Sequence, residues 1–69
     1  MEIIKIKDDF IKLGQALKLG GLVGSGVEAK IMINEGKVLV NGKTELQRGK
    51  KIVPGDIITY NNCQIKIEK

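Results

Sequence analysis

The stretch Ser25-Gly26-Val27-Glu28-Ala29-Lys30-Ile31-Met32-Ile33-Asn34-Glu35-Gly36-Lys37-Val38-Leu39-Val40-Asn41-Gly42-Lys43 decides the fold. It opens on Ser25-x-x-Glu28, a capping box in which each side chain satisfies the other residue's free backbone N–H. Gly36 is a natural stop, so the spacing predicts a helix of about ten residues. On that helix Ala29, Met32 and Ile33 form one apolar stripe, and Val27 and Ile31 form another. Lys30 and Asn34 occupy one polar edge between them, Glu28 and Glu35 the other. Two stripes predict a helix wedged between two partners, an earlier helix and a sheet. Val38-Leu39-Val40 then reads as a strand, and Asn41-Gly42 is the strongest short hairpin signal.

Working outward, Glu2 to Lys7 alternates and is rich in isoleucine, which predicts a first strand. Asp8 and Asp9 are candidate caps for a first helix. Phe10, Leu13 and Leu17, with Ala16, give that helix its core face, and Gly20-Gly21 stops it. Downstream, a return strand begins at Lys43 and Pro54-Gly55-Asp56 is a turn. Ile57 to Tyr60 is a strand, Asn61-Asn62 a turn, and Cys63 to Ile67 a last strand. The order predicts one α+β domain over residues 1–69: a short strand, two packed helices, then a small antiparallel sheet.

Composition narrows the chemistry. A 69-residue chain buries a modest core, and small domains often need disulfides or metals. Cys63 is the only cysteine, so it has no internal partner, and there is no histidine. Structural zinc wants Cys and His in groups of four, so neither a metal nor another cofactor is expected. Cys63 falls in a predicted strand and reads as packing. A lone cysteine, no secretion-type apolar start and no membrane-length apolar run predict a cytoplasmic protein that avoids membranes, here expected as a monomer.

The net charge of +4 is unevenly placed. Between Lys12 and Lys51 stand eight basic and three acidic residues, while the two ends together are slightly negative. Lys43, Arg48, Lys50 and Lys51 concentrate it further, which points to an anionic partner. Gly42-Lys43-Thr44 is no phosphate-binding P-loop, because Lys37 stands where its first glycine belongs and a strand follows. Gly24-x-Gly26-x-x-Ala29 has dinucleotide-motif spacing but no strand running into it. Its glycine-flanked helix start can still attract a phosphate. Without histidine, Ser–His and Cys–His catalysis are absent, and the carboxylates form no acid/base pair, so no enzyme is expected. Phe10 and Tyr60 are the only aromatics, and with Phe10 assigned to the core the platforms that stack unpaired bases are missing. A nucleic-acid partner would be read by shape and phosphates.

Read together, Ser25-Gly26-Val27-Glu28-Ala29-Lys30, Ile33-Asn34-Glu35-Gly36-Lys37-Val38-x-Val40-Asn41-Gly42-Lys43, Lys12-Leu13-x-x-x-Leu17 and Pro54-Gly55-Asp56-x-Ile58 resemble the S4 RNA-binding domain. The match spans about 12–60, and the short chain is similar to the small stand-alone bacterial S4 proteins of the YaaA and YbcJ types. The resemblance implies the S4 (αL-motif) fold and binding to structured RNA, ribosomal or transfer, with the ribosome among the expected partners. It places contacts at Lys12, Ser25, Lys30, Asn41 and Lys43, with Gly26 where the family usually has arginine and Gly14 where it has aspartate. Asn34 from the helix edge, Lys37 from the motif and Arg48 from the basic cluster complete the candidate set. Two other readings compete. One is a protein-interaction module that keeps the fold. The other is a β-grasp sulfur carrier, which needs a C-terminal Gly-Gly where Glu68-Lys69 stand.

Overall fold

The helix that begins at Ser25 forms with both of its ends capped. In the computed structural model, which describes residues 1–69, this helix, α2, covers Gly26–Asn34. Ser25 Oγ accepts the Glu28 N–H at 3.1 Å, as expected. Glu28 Oε1 reaches one residue further back than a capping box requires and accepts from Gly24 N. At the other end Gly36 takes φ +76°, its N–H donates to Ile33 O, and the Lys37 N–H donates to Met32 O. This is the paired-bond ending that lets a glycine reverse the chain out of a helix.

The first helix, α1, is Leu13–Leu19 and starts later than expected. Asp8 and Asp9 do not cap it; residue 12 is its N-cap and makes no side-chain cap bond. Its first amides are met from elsewhere. Leu13 N donates to Lys50 O at 2.9 Å and Gly14 N to Arg48 O at 3.1 Å. The same approach pairs β2 (Ile11–Lys12) with β5 (Lys51–Ile52), a small antiparallel sheet absent from the sequence reading. Phe10 therefore lies before the helix and is 37 % exposed, outside the core that its spacing suggested.

The main sheet joins β1 (Glu2–Lys5), β3 (Val38–Val40), β4 (Lys43–Thr44), β6 (Ile57–Tyr60) and β7 (Cys63–Glu68). Its order is β1-β7-β6-β3-β4, and the β1–β7 pair is parallel, so the sheet is mixed rather than purely antiparallel. Asn41 and Gly42 both have positive φ, 52° and 82°, the backbone of a two-residue turn matched to strand twist. Asn61 and Asn62 make the same kind of turn between β6 and β7. One face of the sheet buries Ile4, Val38, Val40, Ile58, Ile65 and Ile67 against Leu13, Ala16 and Leu17 of α1 and Ala29 and Ile33 of α2. Ile52 and Val23 close the cluster. Cys63 is exposed on β7 and does not pack, contrary to expectation. Val27 and Ile31 are 69 % and 44 % exposed, so α2 packs on one side only and its second apolar stripe meets no partner.

Asn41 locks the β3–β4 turn to the turn before β6. Its amide nitrogen donates to Asp56 Oδ1 at 2.9 Å, and its oxygen accepts the Ile57 N–H at 2.9 Å. Asp56 Oδ2 in turn accepts from Val53 N.

Two stability outcomes follow from this packing and are checked by denaturant unfolding. Ile65→Ala, at a fully buried position, should cost about 2–5 kcal/mol, whereas Val27→Ala should stay within about 0.5 kcal/mol. Asn41→Ala removes both amide bonds and places alanine at positive φ, so a loss of about 1–3 kcal/mol is expected.

Candidate nucleic-acid interface

Basic residues from three separated segments converge where α1, the start of α2 and the 48–49 turn meet. A cleft of about 340 Å³ there is lined by Lys12, Gly14, Gln15, Lys18, Gly26, Arg48 and Gly49, with no apolar side chain among them. Lys12 immediately precedes α1, and Gln15 and Lys18 project from its outer face, opposite the buried Leu13, Ala16 and Leu17. Arg48 is seated by a missing side chain: a Cβ on Gly14 would lie 2.8 Å from Arg48 Cγ and 3.4 Å from Cδ. The aliphatic stem of Arg48 thus lies across α1, which fixes the base of a long, otherwise mobile cation. Gly26 has nothing within 4 Å of the position its Cβ would take.

The charges in this cleft are uncompensated. The protein has two salt bridges, Lys37 to Glu35 at 3.2 Å and Lys69 to Asp9 at 2.7 Å. Among the eight basic residues from Lys12 to Lys51, only Lys37 is paired with a carboxylate. Lys12, Lys18 and Arg48 therefore face solvent with their charges available.

The expected site residues separate into three groups. Lys12, Gly26 and Arg48 come together in the cleft. Lys30 and Asn34, both exposed, continue from Gly26 along α2 at four-residue steps, one turn apart on neighbouring surface. Lys37, Asn41 and Lys43 lie past the far end of α2 and do not line the cleft. Asn41 is engaged in the turn-to-turn link, and the Ser25 oxygen is engaged in the cap. Gln15 and Lys18 were missed by the sequence reading. Their signal was present, because Gln15 and Lys18 stand three residues apart on the face opposite Leu13, Ala16 and Leu17 of α1. No group of three or more Cys, Asp or Glu side chains is placed to hold a metal ion. No helix is long and apolar enough to cross a membrane.

Comparison with known proteins agrees with this architecture. A family model described as "S4 domain" matches residues 4–68. The chain is 42% identical over 55 residues to "Probable ribosome maturation protein RlbA" of Bacillus subtilis (strain 168), covering 80% of this chain and 78% of that protein. It is 36% identical over 61 residues to "Putative RNA-binding protein YbcJ" of Escherichia coli (strain K12), covering 88% and 87%. The solution structure of YbcJ from E. coli, described as revealing an "ALFAL motif involved in RNA-binding", superposes with a TM-score of 0.77 at 33% identity. That superposition covers 100% of this chain and 89% of the other. The β-grasp sulfur-carrier reading is thereby replaced. Two helices packed on a mixed sheet, and a family match running almost end to end, place this chain in the S4 domain family.

Proposed function

We propose that this protein binds structured RNA, without catalysing a reaction, by seating phosphates in the cleft formed by Lys12, Lys18 and Arg48. The observation that carries this reading is the convergence of three unpaired cations beside the first turn of α2. A helix start offers amides with no intrahelical partner, and its dipole favours an anion. Arg48 adds a forked donor suited to phosphate. Lys30 and Asn34 extend the contact along α2, and Lys37 and Lys43 meet RNA that continues past its C-terminal end. Asn41 serves the framework, and Ser25 supports the contact by holding the helix start in place. The names of the relatives direct the choice of RNA toward ribosomal RNA in a ribosome or its precursor. A cytoplasmic monomer fits the free, exposed Cys63. The protein-interaction reading draws on a different surface, the uncovered Val27 and Ile31, and predicts RNA affinity indifferent to the cleft.

Titrating a ribosomal-RNA stem-loop across a salt series tests the proposal. The three cleft cations alone give a log–log slope of about −3, which steepens as Lys30, Lys37 and Lys43 also meet phosphates, and Lys18→Ala should make the slope shallower by about 1. A salt-independent affinity would sink the reading. Lys30→Glu and Lys43→Glu should weaken binding while unfolding free energy stays within about 0.5 kcal/mol, because both side chains are exposed. Unchanged affinity would remove them from the contact set.

The open space at Gly26 yields a gain-of-function outcome. A Cβ at position 26 meets no neighbouring atom, and Gly26→Arg replaces glycine with a better helix former. It should strengthen RNA binding by about 1 kcal/mol through one added phosphate contact, with no loss of thermal stability. A stable variant with weaker affinity would show that RNA does not approach the start of α2.

A further inference from the structure

Phe10 is the exposed aromatic that the sequence reading assigned to the core. Its ring is steadied by Lys51, whose Nζ lies 4.8 Å from the ring centroid. Beside it runs an open groove of about 970 Å³, bordered by Lys7, Asp8, Phe10, Lys12, Gln15 and Leu19 among others. Phe10 and the exposed Leu19 supply apolar surface, and the remaining four supply donors and acceptors. An aromatic ring set among hydrogen-bonding side chains offers a flat ligand both a stacking face and polar contacts.

We propose that this groove holds an unpaired nucleobase of the RNA whose phosphates occupy the cleft, stacked on Phe10. The proposal rests on the RNA-binding reading above and adds a second, chemically distinct subsite to it. Three observations support the occupant. Lys12 and Gln15 line both the groove and the cleft, so one strand passes from one to the other without crossing another surface. The polar groups also differ in kind. The cleft carries no carboxylate, whereas the groove has Asp8, which forms no salt bridge, and Asp9, which is held by Lys69. A carboxylate repels phosphate but accepts hydrogen bonds from the ring N–H and amino groups of a base edge. Finally, a base inside an A-form helix presents no open face, so a groove walled by an aromatic ring suits a base at a bulge, loop or end.

The experiment compares two stem-loops of the same sequence, one blunt and one with a short unpaired extension bearing 5-iodouridine. Binding is followed by fluorescence anisotropy, and the crosslinked residue is identified by mass spectrometry. The extended RNA should bind about tenfold more tightly, within the range of one base–aromatic stack, and should crosslink to Phe10. Phe10→Ala should abolish that preference while leaving the affinity for blunt RNA unchanged, with circular dichroism checking that the variant is folded. Phe10→Tyr should restore it, and Phe10→Leu, which keeps apolar bulk without a π face, should not. Equal affinity of the unmodified protein for both RNAs overturns the groove proposal and leaves the cleft reading standing. So does an equal loss for both RNAs in Phe10→Ala, or full preference in Phe10→Leu. If neither RNA binds, the cleft reading falls, and the groove proposal falls with it.

Discussion

Two backbone hydrogen bonds, from Leu13 N to Lys50 O and from Gly14 N to Arg48 O, hold the cleft-bearing half of the molecule together. A seven-residue helix is too short to persist in water by itself, since nucleation is costly and few bonds are gained. In this protein its opening amides are satisfied by the 48–50 segment instead of by an adjacent cap. The two bonds draw β5 onto β2, bury Ile52, and bring Arg48 over Gly14. Any side chain at position 14 would push into Arg48, so glycine there is what admits the arginine. Forming α1 and assembling the basic cleft are consequently one event.

Local chemistry is what the sequence makes legible. The Ser25 cap, the Gly36 exit, the Asn41-Gly42 and Asn61-Asn62 turns and the Pro54-Gly55-Asp56 turn each depend on residues within a few positions of one another. Those elements stand where the residue pattern puts them. The pairing of β1 with β7 joins the two ends of the chain, and no local pattern records that it is parallel. The start of α1 was misread for a related reason: its capping carbonyls lie far downstream, while Asp8 and Asp9 only have the right side chains for the task. Helical spacing drew Phe10 into a helix that begins three residues later, and that error concealed an exposed aromatic. Periodicity gave α2 two apolar stripes, but only Ala29 and Ile33 are fully buried.

The candidate site divides the same way. Its residue types are visible as a basic middle segment, which points to Arg48, while the resemblance to the S4 pattern points to Lys12 and Gly26. Their convergence depends on tertiary contacts, and so does the recruitment of Lys18 and Gln15. Asn41 shows the reverse case. Within the motif it invites a contact role, yet its amide joins two turns through Asp56 and Ile57. A residue can therefore belong to a recognisable pattern because the scaffold needs it, while a less conspicuous lysine carries the charge.

The unpaired cations of the cleft also bear on the protein when nothing is bound. Like charges held close together by a rigid frame repel one another, and that self-repulsion works against the compact state. A polyanion that binds only the folded form relieves it and shifts the folding equilibrium by mass action. If RNA occupies the cleft as proposed, Lys12, Lys18 and Arg48 would couple occupancy to persistence, leaving the chain weakest alone in dilute buffer. On the proposed reading, a domain with so small a core would draw part of its stability from the RNA it binds.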